Sequence, residues 1–234
     1  NTYDDNSREY AAMIDKDDIL GPELVIPKLL EFASPVDGLK VLDAGCGEGR
    51  ISRALHDMGA DVVGIDVSEN LVSMAEERRE GREIEYQNLD LSNEAPLKYA
   101  DAFDMVVSNL VIDDVPDYVG FIKAVCTMAK KNSRIVLSKN NPYSAVIRGK
   151  VDDYFDSGHS VEYAGMATAG VHVLYYHRTL EEYVNEFSKH RFRLSRMSDL
   201  NPSSLSNTGG SKRAELCTRY RHFPFLMVLE FTRM

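Results

Sequence analysis

The stretch of sequence that decides the fold is Val41-Leu42-Asp43-Ala44-Gly45-Cys46-Gly47-Glu48-Gly49. A predicted apolar strand delivers an acidic residue, and three glycines at alternate positions then lead into a predicted helix. Because glycine has no Cβ, the backbone can turn sharply there and approach a bound ligand closely. The free N–H groups at the start of the helix suit a carboxylate or a phosphate. Taken alone, this turn serves a dinucleotide equally well.

Short apolar runs alternate with segments of helical period on both sides of that stretch. Apolar residues spaced three and four apart after Gly49 indicate a helix, and residues 22–33 have the pattern of an amphipathic helix. This alternation predicts a parallel sheet with helices on both faces and right-handed crossovers. The predicted strands are Lys40–Ala44, Asp61–Ile65, Glu83–Gln87, Phe103–Val107 and Arg134–Leu137.

The regular pattern stops at Asn140, and a long stretch follows without a clear helix–strand unit. Within it, Val161–Met166 and Val171–Tyr176 have the pattern of a hairpin. Long segments of this kind inside a compact domain are usually lids or binding segments. Regularity resumes at Thr179, which has capping-box spacing with Glu182. The last predicted strands are Phe192–Met197 and an antiparallel-looking Phe223–Phe231 that closes the sheet.

Two further acidic residues narrow the class of ligand that the sequence predicts. Asp66 ends the second predicted strand, where a carboxylate can accept hydrogen bonds from both hydroxyls of a ribose. Asp90 follows the third predicted strand, where a carboxylate can accept a hydrogen bond from an adenine amino group. Acids after three successive strands suit a hydroxyl- and amine-rich ligand that carries a positive charge. They do not suit a pyrophosphate, which Asp43 and Glu48 would repel.

Charge and hydropathy restrict the class of partner. The chain has 234 residues and a net charge of −10, whereas nucleic-acid-binding proteins usually carry a basic face. It contains no apolar run near the ~20 residues that a membrane span needs. We therefore expect neither a nucleic acid nor a membrane as partner. One basic cluster near the C-terminus fits a solvated loop, and its members are Lys212, Arg213, Arg219 and Arg221.

The cysteines and the first residues bear on the compartment. Cys46, Cys126 and Cys217 lie far apart, so they form neither a metal signature nor a redox pair. Residues 1–20 are polar and acidic, unlike a signal peptide. We expect a cytoplasmic protein without a bound metal.

Several of these segments resemble the motifs of one family, the class I S-adenosylmethionine-dependent methyltransferases. VLDAGCGEGR at 41–50 looks like motif I of that family. GIDVSENLVSMAEER at 64–78 resembles the segment after motif I, and FDMVVSNLVIDDV at 103–115 resembles the strand-four motif. YYHRTLEEYVNEFSKHRF at 175–192 is similar to the helix and strand that follow the variable cap in the small-molecule, type 11/12-like branch. The resemblance covers residues 22–139 well and is looser beyond them.

The resemblance implies a Rossmann-like α/β fold: a doubly wound, mostly parallel seven-stranded sheet with an antiparallel last strand, plus a cap insertion. It implies S-adenosylmethionine as cofactor and S-adenosylhomocysteine as product. It places Asp43 beside the methionine part, Asp66 at the ribose and Asp90 at the adenine edge. The cofactor-binding positions implied in this way are Asp43, Ala44, Gly45, Cys46, Gly47, Gly49, Asp66, Val67, Asp90, Leu91, Ser108, Asn109 and Leu110.

The resemblance also divides the chain, which we expect to be a single methyltransferase domain. Residues 1–33 would form an N-terminal helical lid and residues 34–139 the cofactor-binding core. Residues 140–178 would form the substrate cap, and residues 179–234 the C-terminal helix and closing strands.

Candidate catalytic residues lie in the predicted cap. A neutral imidazole there can take the proton that a hydroxyl or amine releases when it is methylated, which makes His159, His172 and His177 candidates. The alternative is a structural hydrogen bond within the cap. Many relatives carry a histidine or an aromatic residue where this chain has Asp113 and Asp114, so a histidine mechanism from that loop is not expected.

Tyrosines cluster at the N-terminus and in the cap, where they can wall an apolar pocket for the acceptor. The alternative is packing within the cap itself. The candidate substrate-binding residues are Tyr3, Tyr10, Tyr143, Tyr154, Tyr163 and Tyr175.

The function predicted from this sequence is methyl transfer to an oxygen, nitrogen or carbon atom of a small, partly apolar metabolite by in-line displacement. One alternative is a cyclase or a binding protein that keeps the cofactor pocket. A more distant alternative is an NAD-dependent oxidoreductase on a related fold. Both a monomer and a homodimer are compatible with the sequence.

Overall fold

A computed structural model describes residue 7 and residues 20–93, 95–162, 174–202, 217–218 and 221–234. The helices in these ranges are α1 (Leu20–Ala33), α2 (Arg50–Asp57), α3 (Glu69–Glu77), α4 (Tyr118–Met128), α5 (Pro142–Ile147) and α6 (Leu180–Lys189). The strands are β1 (Lys40–Ala44), β2 (Asp61–Asp66), β3 (Glu85–Asn88), β4 (Phe103–Asn109), β5 (Ala129–Asn140), β6 (Ser160–Glu162), β7 (Leu174–Tyr176), β8 (Phe192–Leu200) and β9 (Leu226–Arg233).

Seven strands form one sheet in the order β3-β2-β1-β4-β5-β9-β8. The pairs from β3 to β5 are parallel, and β9 runs antiparallel to both β5 and β8. The chain order reverses between β1 and β4, because β1–β3 build one half of the sheet outward and β4 starts the other half. Ligands of doubly wound sheets bind at such a reversal, beyond the carboxyl ends of the strands.

Both faces of the sheet are covered, because alternate residues of a strand point to opposite faces. Leu42 of β1 and Val106 of β4 pack against Phe121 of α4 and Phe187 of α6 in one core. On the other face, the neighbouring residue Val41 packs in a second core with α1, α2 and α3. These two cores fix the sheet between its helices and hold the strand ends in place.

The structure confirms the side-chain caps that the sequence predicts at the starts of two helices. The Ser68 hydroxyl accepts a hydrogen bond from the Leu71 N–H and caps α3. Thr179 and Glu182 form a reciprocal capping box at the start of α6. Side-chain caps of this kind satisfy backbone N–H groups that have no partner within the helix.

The predicted strands are confirmed, although their ends shift by a few residues. The largest difference is at β5, which starts at Ala129 rather than Arg134, because Ala129 pairs with Phe103 before a register shift in β4. The hairpin pattern after Asn140 is seen in part, since β6 and β7 pair antiparallel. Its tip, residues 163–173, lies outside the described residues. The short helix α5 was not predicted; Asn141 caps it by accepting a hydrogen bond from the Tyr143 N–H.

Within the described residues, no helix is long and apolar enough to cross a bilayer.

Candidate functional site

A cavity of about 440 Å³ lies beyond the carboxyl ends of β1, β2, β3 and β4, at the point where the strand order reverses. This volume is in the range of pockets for nucleoside-sized ligands. Its described lining comes from the loops that follow these four strands, from α3 and α4, and from β7. The lining residues are Gly45, Gly47, Ile65, Asp66, Val67, Leu71, Leu89, Asp90, Leu91, Ser92, Asn109, Leu110, Val111, Asp114, Val115, Pro116, Phe121, Leu174 and Tyr176.

The glycine loop after β1 forms the floor of this cavity. Gly45 and Gly47 have φ angles of 80° and 53°, in the left-handed region that favours glycine. A Cβ on Gly45 would overlap both methyl carbons of Val111, which lines the same cavity. The Gly45 N–H donates to the Ile65 carbonyl oxygen over 2.8 Å, so the loop is fastened to the end of β2. Gly45 is therefore required for the close packing of the loop against Val111, whereas a Cβ on Gly47 would meet nothing within 4 Å.

Asp66, at the end of β2, organises the same loop. Its Oδ2 accepts a hydrogen bond from the Gly47 N–H at 2.8 Å, and its Oδ1 accepts one from the Ser68 N–H at 2.9 Å. Asp66 also lines the cavity. Asp66 is thus placed to hold both the loop and a ligand.

The far end of the cavity is built by the loop after β3. Asp90 accepts hydrogen bonds from Ser92 and Asn93 of its own turn. Leu91 is buried beside it, and Val67, after β2, is 46% exposed and lines the cavity. A carboxylate between apolar side chains suits a flat, amine-bearing ring. The sequence predicted Asp66, Val67, Asp90 and Leu91 as binding residues, and the structure brings all four to one cavity.

Asp43 lies behind the cavity rather than on its wall. It is fully buried under α2, its Oδ2 accepts a 2.6 Å hydrogen bond from the Ser52 hydroxyl, and its Oδ1 has no hydrogen-bond partner among the described residues. Burial, with a smaller contribution from the nearby Asp66, raises the pKa of this carboxyl to about 7 against the lowering effect of the Ser52 hydrogen bond. The placement differs from the expectation because residues 41 and 43 of a strand face the same side, which here is the α2 side.

This burial makes stability depend on pH. A carboxyl with a folded-state pKa of about 7 and an ordinary value of 3.8 adds stability that is fully present below about pH 4 and is lost as the pH rises to about 7. Asp43→Asn cannot ionise. Between pH 4 and pH 8, the unfolding free energy of the wild type should therefore fall by roughly 4 kcal/mol relative to that of Asp43→Asn.

Urea denaturation across this pH range measures the effect in the cofactor-free protein. Asp61→Asn, at the exposed start of β2, is the matched control. A difference between Asp43→Asn and wild type that stays constant from pH 4 to pH 8 would contradict the burial argument.

Glu48 does not face the cavity either, which corrects one argument against a pyrophosphate. Its carboxylate is buried and lies 2.8 Å from Arg53, 3.0 Å from Arg78 and 3.4 Å from Arg50. Three guanidinium groups compensate this charge, so Glu48 repels no ligand. The negative charge on the cavity wall comes instead from Asp66, Asp90 and Asp114.

The end of β4 contributes backbone rather than reactive groups. The Ser108 hydroxyl is buried and donates to the Ala44 carbonyl oxygen at 2.8 Å, which ties β4 to β1. Asn109 and Leu110 line the cavity. Leu110 has a φ of 57°, and its N–H donates to the backbone carbonyl and to the hydroxyl of Ser138. Non-glycine residues in this conformation are strained and cluster at functional sites.

Of the thirteen predicted cofactor positions, the structure brings eight to the cavity wall: Gly45, Gly47, Asp66, Val67, Asp90, Leu91, Asn109 and Leu110. The other five lie behind the wall or outside it: Asp43, Ala44, Cys46, Gly49 and Ser108. Cys46 is buried, and this burial raises the pKa of its thiol well above the ordinary value, so it is not a nucleophile.

The two candidate catalytic histidines that are described do not line this cavity. His177 is buried; its Nε2 lies 2.9 Å from the Tyr154 carbonyl oxygen, and its N–H donates to the His159 carbonyl oxygen. The His159 side chain is 59% exposed and lies 2.7 Å from Asp156. Both make the structural hydrogen bonds of the alternative interpretation. His172 lies outside the described residues.

The candidate substrate tyrosines that are described also lie off the cavity. Tyr143 stacks on Tyr154 with 4.9 Å between ring centroids, and the Tyr154 hydroxyl accepts a hydrogen bond from the Leu180 N–H. Tyr175 is buried. Because β7 alternates its side chains, the neighbours Leu174 and Tyr176 reach the cavity instead. Tyr3, Tyr10 and Tyr163 lie outside the described residues.

The loop after β4 supplies four of the lining residues that the sequence did not predict, namely Val111, Asp114, Val115 and Pro116; the others are Ile65, Leu71, Leu89, Ser92, Phe121, Leu174 and Tyr176. A signal for the four loop residues existed, since the motif at 103–115 places Asp114 directly after β4. Within the described residues, no group of three or more histidine, cysteine, aspartate or glutamate side chains can hold a metal ion.

The sequence of this chain is similar to those of methyltransferases. A family model described as a methyltransferase domain matches residues 35–190. The ubiquinone biosynthesis O-methyltransferase of Acinetobacter baylyi is 33% identical over 114 residues, which cover 47% of this chain and 48% of that protein. The protein of the same name from Coxiella burnetii is 34% identical over 116 residues, which cover 49% of each. The chain therefore spans about half the length of the curated relatives it matches.

Solved structures share the fold. An S-adenosylmethionine-dependent methyltransferase from Mesorhizobium loti superposes with a TM-score of 0.72 at 23% identity, covering 88% of this chain and 96% of that one. The magnesium protoporphyrin IX methyltransferase from Synechocystis with bound S-adenosylhomocysteine superposes with a TM-score of 0.58 at 20% identity, covering 88% of this chain and 79% of that one. At these identities the likeness concerns the arrangement of helices and strands.

Proposed function

This chain belongs to the class I methyltransferase family, whose methyl donor is S-adenosylmethionine, and we propose that it methylates a small, partly apolar molecule. The relatives that match this chain along about half of their length are named as O-methyltransferases. Their names favour a hydroxyl oxygen as the acceptor atom. The methyl donor and the acceptor would meet in the cavity described above.

One observation carries the proposal. The cavity at the reversal of strand order is lined by three carboxylates and, among the described lining residues, by no lysine, arginine or histidine. A dinucleotide brings a pyrophosphate, which this wall would repel. An adenosine that carries a sulfonium and an ammonium group brings positive charge and hydrogen-bond donors, which the wall would attract.

The residues present fit this donor. Asp66, at the end of β2, lines the cavity where ribose hydroxyls would donate to its carboxylate, and Asp90 lies where an adenine amino group would donate. Val67 and Leu91 offer apolar surface for the two faces of the ring. The rest of the molecule would lie along the glycine loop, where a Cβ on Gly47 would meet nothing within 4 Å.

S-adenosylmethionine supplies an already activated methyl group, so the protein has little bond chemistry to perform. Its contribution is to hold the acceptor in line with the methyl group, and good orientation of two reactants contributes roughly 7–11 kcal/mol. The apolar wall of Val111, Val115 and Leu174 would exclude water from the reacting atoms. We assign the acceptor to this part of the cavity, next to Tyr176.

Several features of the wider protein belong to the same proposal. Residues 140–178 would cap the acceptor. Residues 1–33 are expected from the sequence to form a helical lid, but their described helix α1 packs in the core on one face of the sheet and contributes no residue to the described cavity lining. A nucleic-acid substrate is disfavoured by the net charge of −10 and by the acidic cavity. The three unpaired cysteines support a reducing, cytoplasmic location. A monomer or a homodimer is compatible with a site built from one chain.

The test is to incubate the protein with a bacterial small-molecule extract and methyl-deuterated S-adenosylmethionine, and to search for labelled products by mass spectrometry. We expect at least one labelled metabolite, absent with Asp66→Ala. A protein that binds S-adenosylhomocysteine but labels nothing would favour the binding-protein or cyclase alternative. Binding of NAD without binding of S-adenosylhomocysteine would favour the oxidoreductase.

A further inference from the structure

A buried arginine, Arg178, lies between β7 and α6. Its guanidinium donates hydrogen bonds to three backbone carbonyl oxygens, that of Ile112 at 3.3 Å and those of Val115 and Pro116 at 2.9 Å. All three carbonyl groups belong to the loop after β4. Burial of a charged group is costly unless hydrogen bonds compensate it. Because the N–H groups of a guanidinium have a fixed, planar arrangement, bonds to three carbonyl groups also restrict the position of the loop.

Two tyrosine rings lie against the same guanidinium. The ring centroid of Tyr118, at the start of α4, is 4.5 Å from its central carbon, and that of Tyr176, at the end of β7, is 4.9 Å from it. A guanidinium is attracted to the face of an aromatic ring. Tyr176 is among the described lining residues of the cavity, and Tyr118 is not. Arg178 therefore contacts one ring on the cavity wall and one ring behind it.

Further contacts join β7 to the loop after β4 and the loop to the core. The Tyr176 N–H donates to the Asp113 carbonyl oxygen at 2.7 Å. The Asp113 carboxylate is buried, lies 3.0 Å from the Lys139 ammonium and accepts a hydrogen bond from the Tyr183 hydroxyl. The loop is thus fixed at Asp113, and the bonds from Arg178 fix the residues on either side of that point.

The two segments that Arg178 joins form the acceptor end of the cavity. Leu174 and Tyr176 of β7 line it together with Val111, Val115 and Pro116 of the loop after β4. Arg178 and Val115 are 63 positions apart in the chain. The loops assigned to the ribose and the adenine follow β2 and β3, on the other side of β1 from β4. The contacts of Arg178 therefore concern the acceptor side of the cavity.

We propose that Arg178 is a positioning residue for the methyl acceptor. It holds β7 and the loop after β4 in the relative position at which their side chains form one wall, and it acts through Tyr176 and the loop backbone rather than by touching the acceptor. The inference rests on the proposed function. Because in-line transfer needs a narrow range of distance and angle, a small shift between the two parts of this wall impairs the acceptor more than the donor.

Arg178→Lys tests the geometry and keeps the positive charge. A lysine ammonium is a compact point charge, which cannot reproduce the planar arrangement of donors or the stacking on two rings. Arg134→Lys is the matched control, because the Arg134 guanidinium also donates to three backbone carbonyl oxygens, those of Phe32, Ala33 and Pro35, at 2.8–3.4 Å. None of these control residues belongs to the described cavity lining. The two variants lose the same kind of contact in different places.

Two measurements are made on each protein. Calorimetry gives the affinity for S-adenosylhomocysteine. The rate of labelled product formation at saturating methyl-deuterated S-adenosylmethionine, over a dilution series of the bacterial extract, gives the maximal rate and the half-saturating extract concentration. We expect Arg178→Lys to raise this half-saturating concentration about tenfold and to leave the affinity for S-adenosylhomocysteine within about twofold of the wild type. Arg134→Lys should change neither quantity.

A second variant acts on Arg178 from behind the wall. Tyr118→Leu removes a ring that contacts the guanidinium and no described lining residue. It should raise the half-saturating extract concentration in the same direction by a smaller factor. If thermal denaturation shows that Arg178→Lys is unfolded at the assay temperature, Tyr118→Leu decides the question by the same criteria.

The outcomes separate this inference from the proposed function. A wild-type half-saturating concentration in the folded variant overturns the role of Arg178 and leaves the proposed function standing. An equal shift in Arg134→Lys, or an equally large loss of affinity for S-adenosylhomocysteine, also overturns it, because the effect would then not be specific to the acceptor side. A wild type that labels no metabolite overturns the proposed function and the inference with it.

Discussion

Replacing Asp66 by alanine is expected to weaken the binding of S-adenosylhomocysteine about a hundredfold. The carboxylate accepts hydrogen bonds from the Gly47 and Ser68 N–H groups, and in the proposed function it also accepts from the ribose diol. Hydrogen bonds to a charged group contribute ~1.5–3 kcal/mol each, so losing the ligand contacts and loosening the glycine loop together cost about 3 kcal/mol. Isothermal titration calorimetry measures this directly.

A matched control for this variant lies on the same strand. Asp61 is exposed at the opposite end of β2, so Asp61→Ala changes the same residue type away from the cavity. It should bind the ligand as the wild type does. Equal affinities for Asp66→Ala and wild type would mean that the cavity beyond β2 is not where the nucleoside binds.

Replacing Asp113 by alanine is expected to destabilise the fold by about 3–5 kcal/mol, because it leaves a buried lysine without its counter-charge. Lys139 is 2% exposed; it donates to the Asn140 carbonyl oxygen and lies 4.6 Å from the centroid of the Tyr183 ring. Neither contact replaces a carboxylate. Burial lowers the pKa of Lys139, and Asp113 opposes that lowering. The loss in Asp113→Ala should therefore shrink as the pH rises, since a neutral lysine tolerates burial.

Urea denaturation gives the unfolding free energy for this series. The double variant Asp113→Ala, Lys139→Met removes both charges and should recover a large part of the loss. Glu31→Ala breaks the exposed pair with Lys28 and should cost less than about 1 kcal/mol. A loss of that small size in Asp113→Ala would contradict the description of a buried ion pair on which the loop after β4 depends.

The match between prediction and structure differs between the core and the cap for a physical reason. Strands β1, β2 and β4 are recognisable in the sequence as apolar runs. Ser68 and Thr179 indicate the starts of helices, because each caps its helix through contacts within a few residues. The hairpin of β6 and β7 is harder to predict from the sequence, because each of its strands has only three residues in the structure and therefore little periodicity. The capping of α5 by Asn141 is equally local but fell in a region with no regular pattern around it.

The candidate residues in the cap show most clearly that residue type alone does not identify a site residue. His177 and Tyr175 are of the right types for catalysis and binding, yet both are buried, while Tyr176 between them reaches the cavity. In a strand, a shift of one residue turns a side chain to the opposite face. Residue type alone therefore cannot assign tyrosines or histidines of a short strand to a pocket.

The succession of strands and helices, the glycine turn after β1, and the acids at the ends of β2 and β3 were predictable from the sequence, because each depends on neighbours in the chain. Only the tertiary structure decided that Asp43 is buried under α2, that three arginines compensate Glu48, and that Asp113 and Asp114 serve different environments. Those outcomes depend on contacts between residues far apart in the chain, such as Asp113 with Lys139 and Arg178 with the loop after β4. Distant partners leave no periodic mark in a single sequence, so the charges that face the ligand could be read only once the chain was folded.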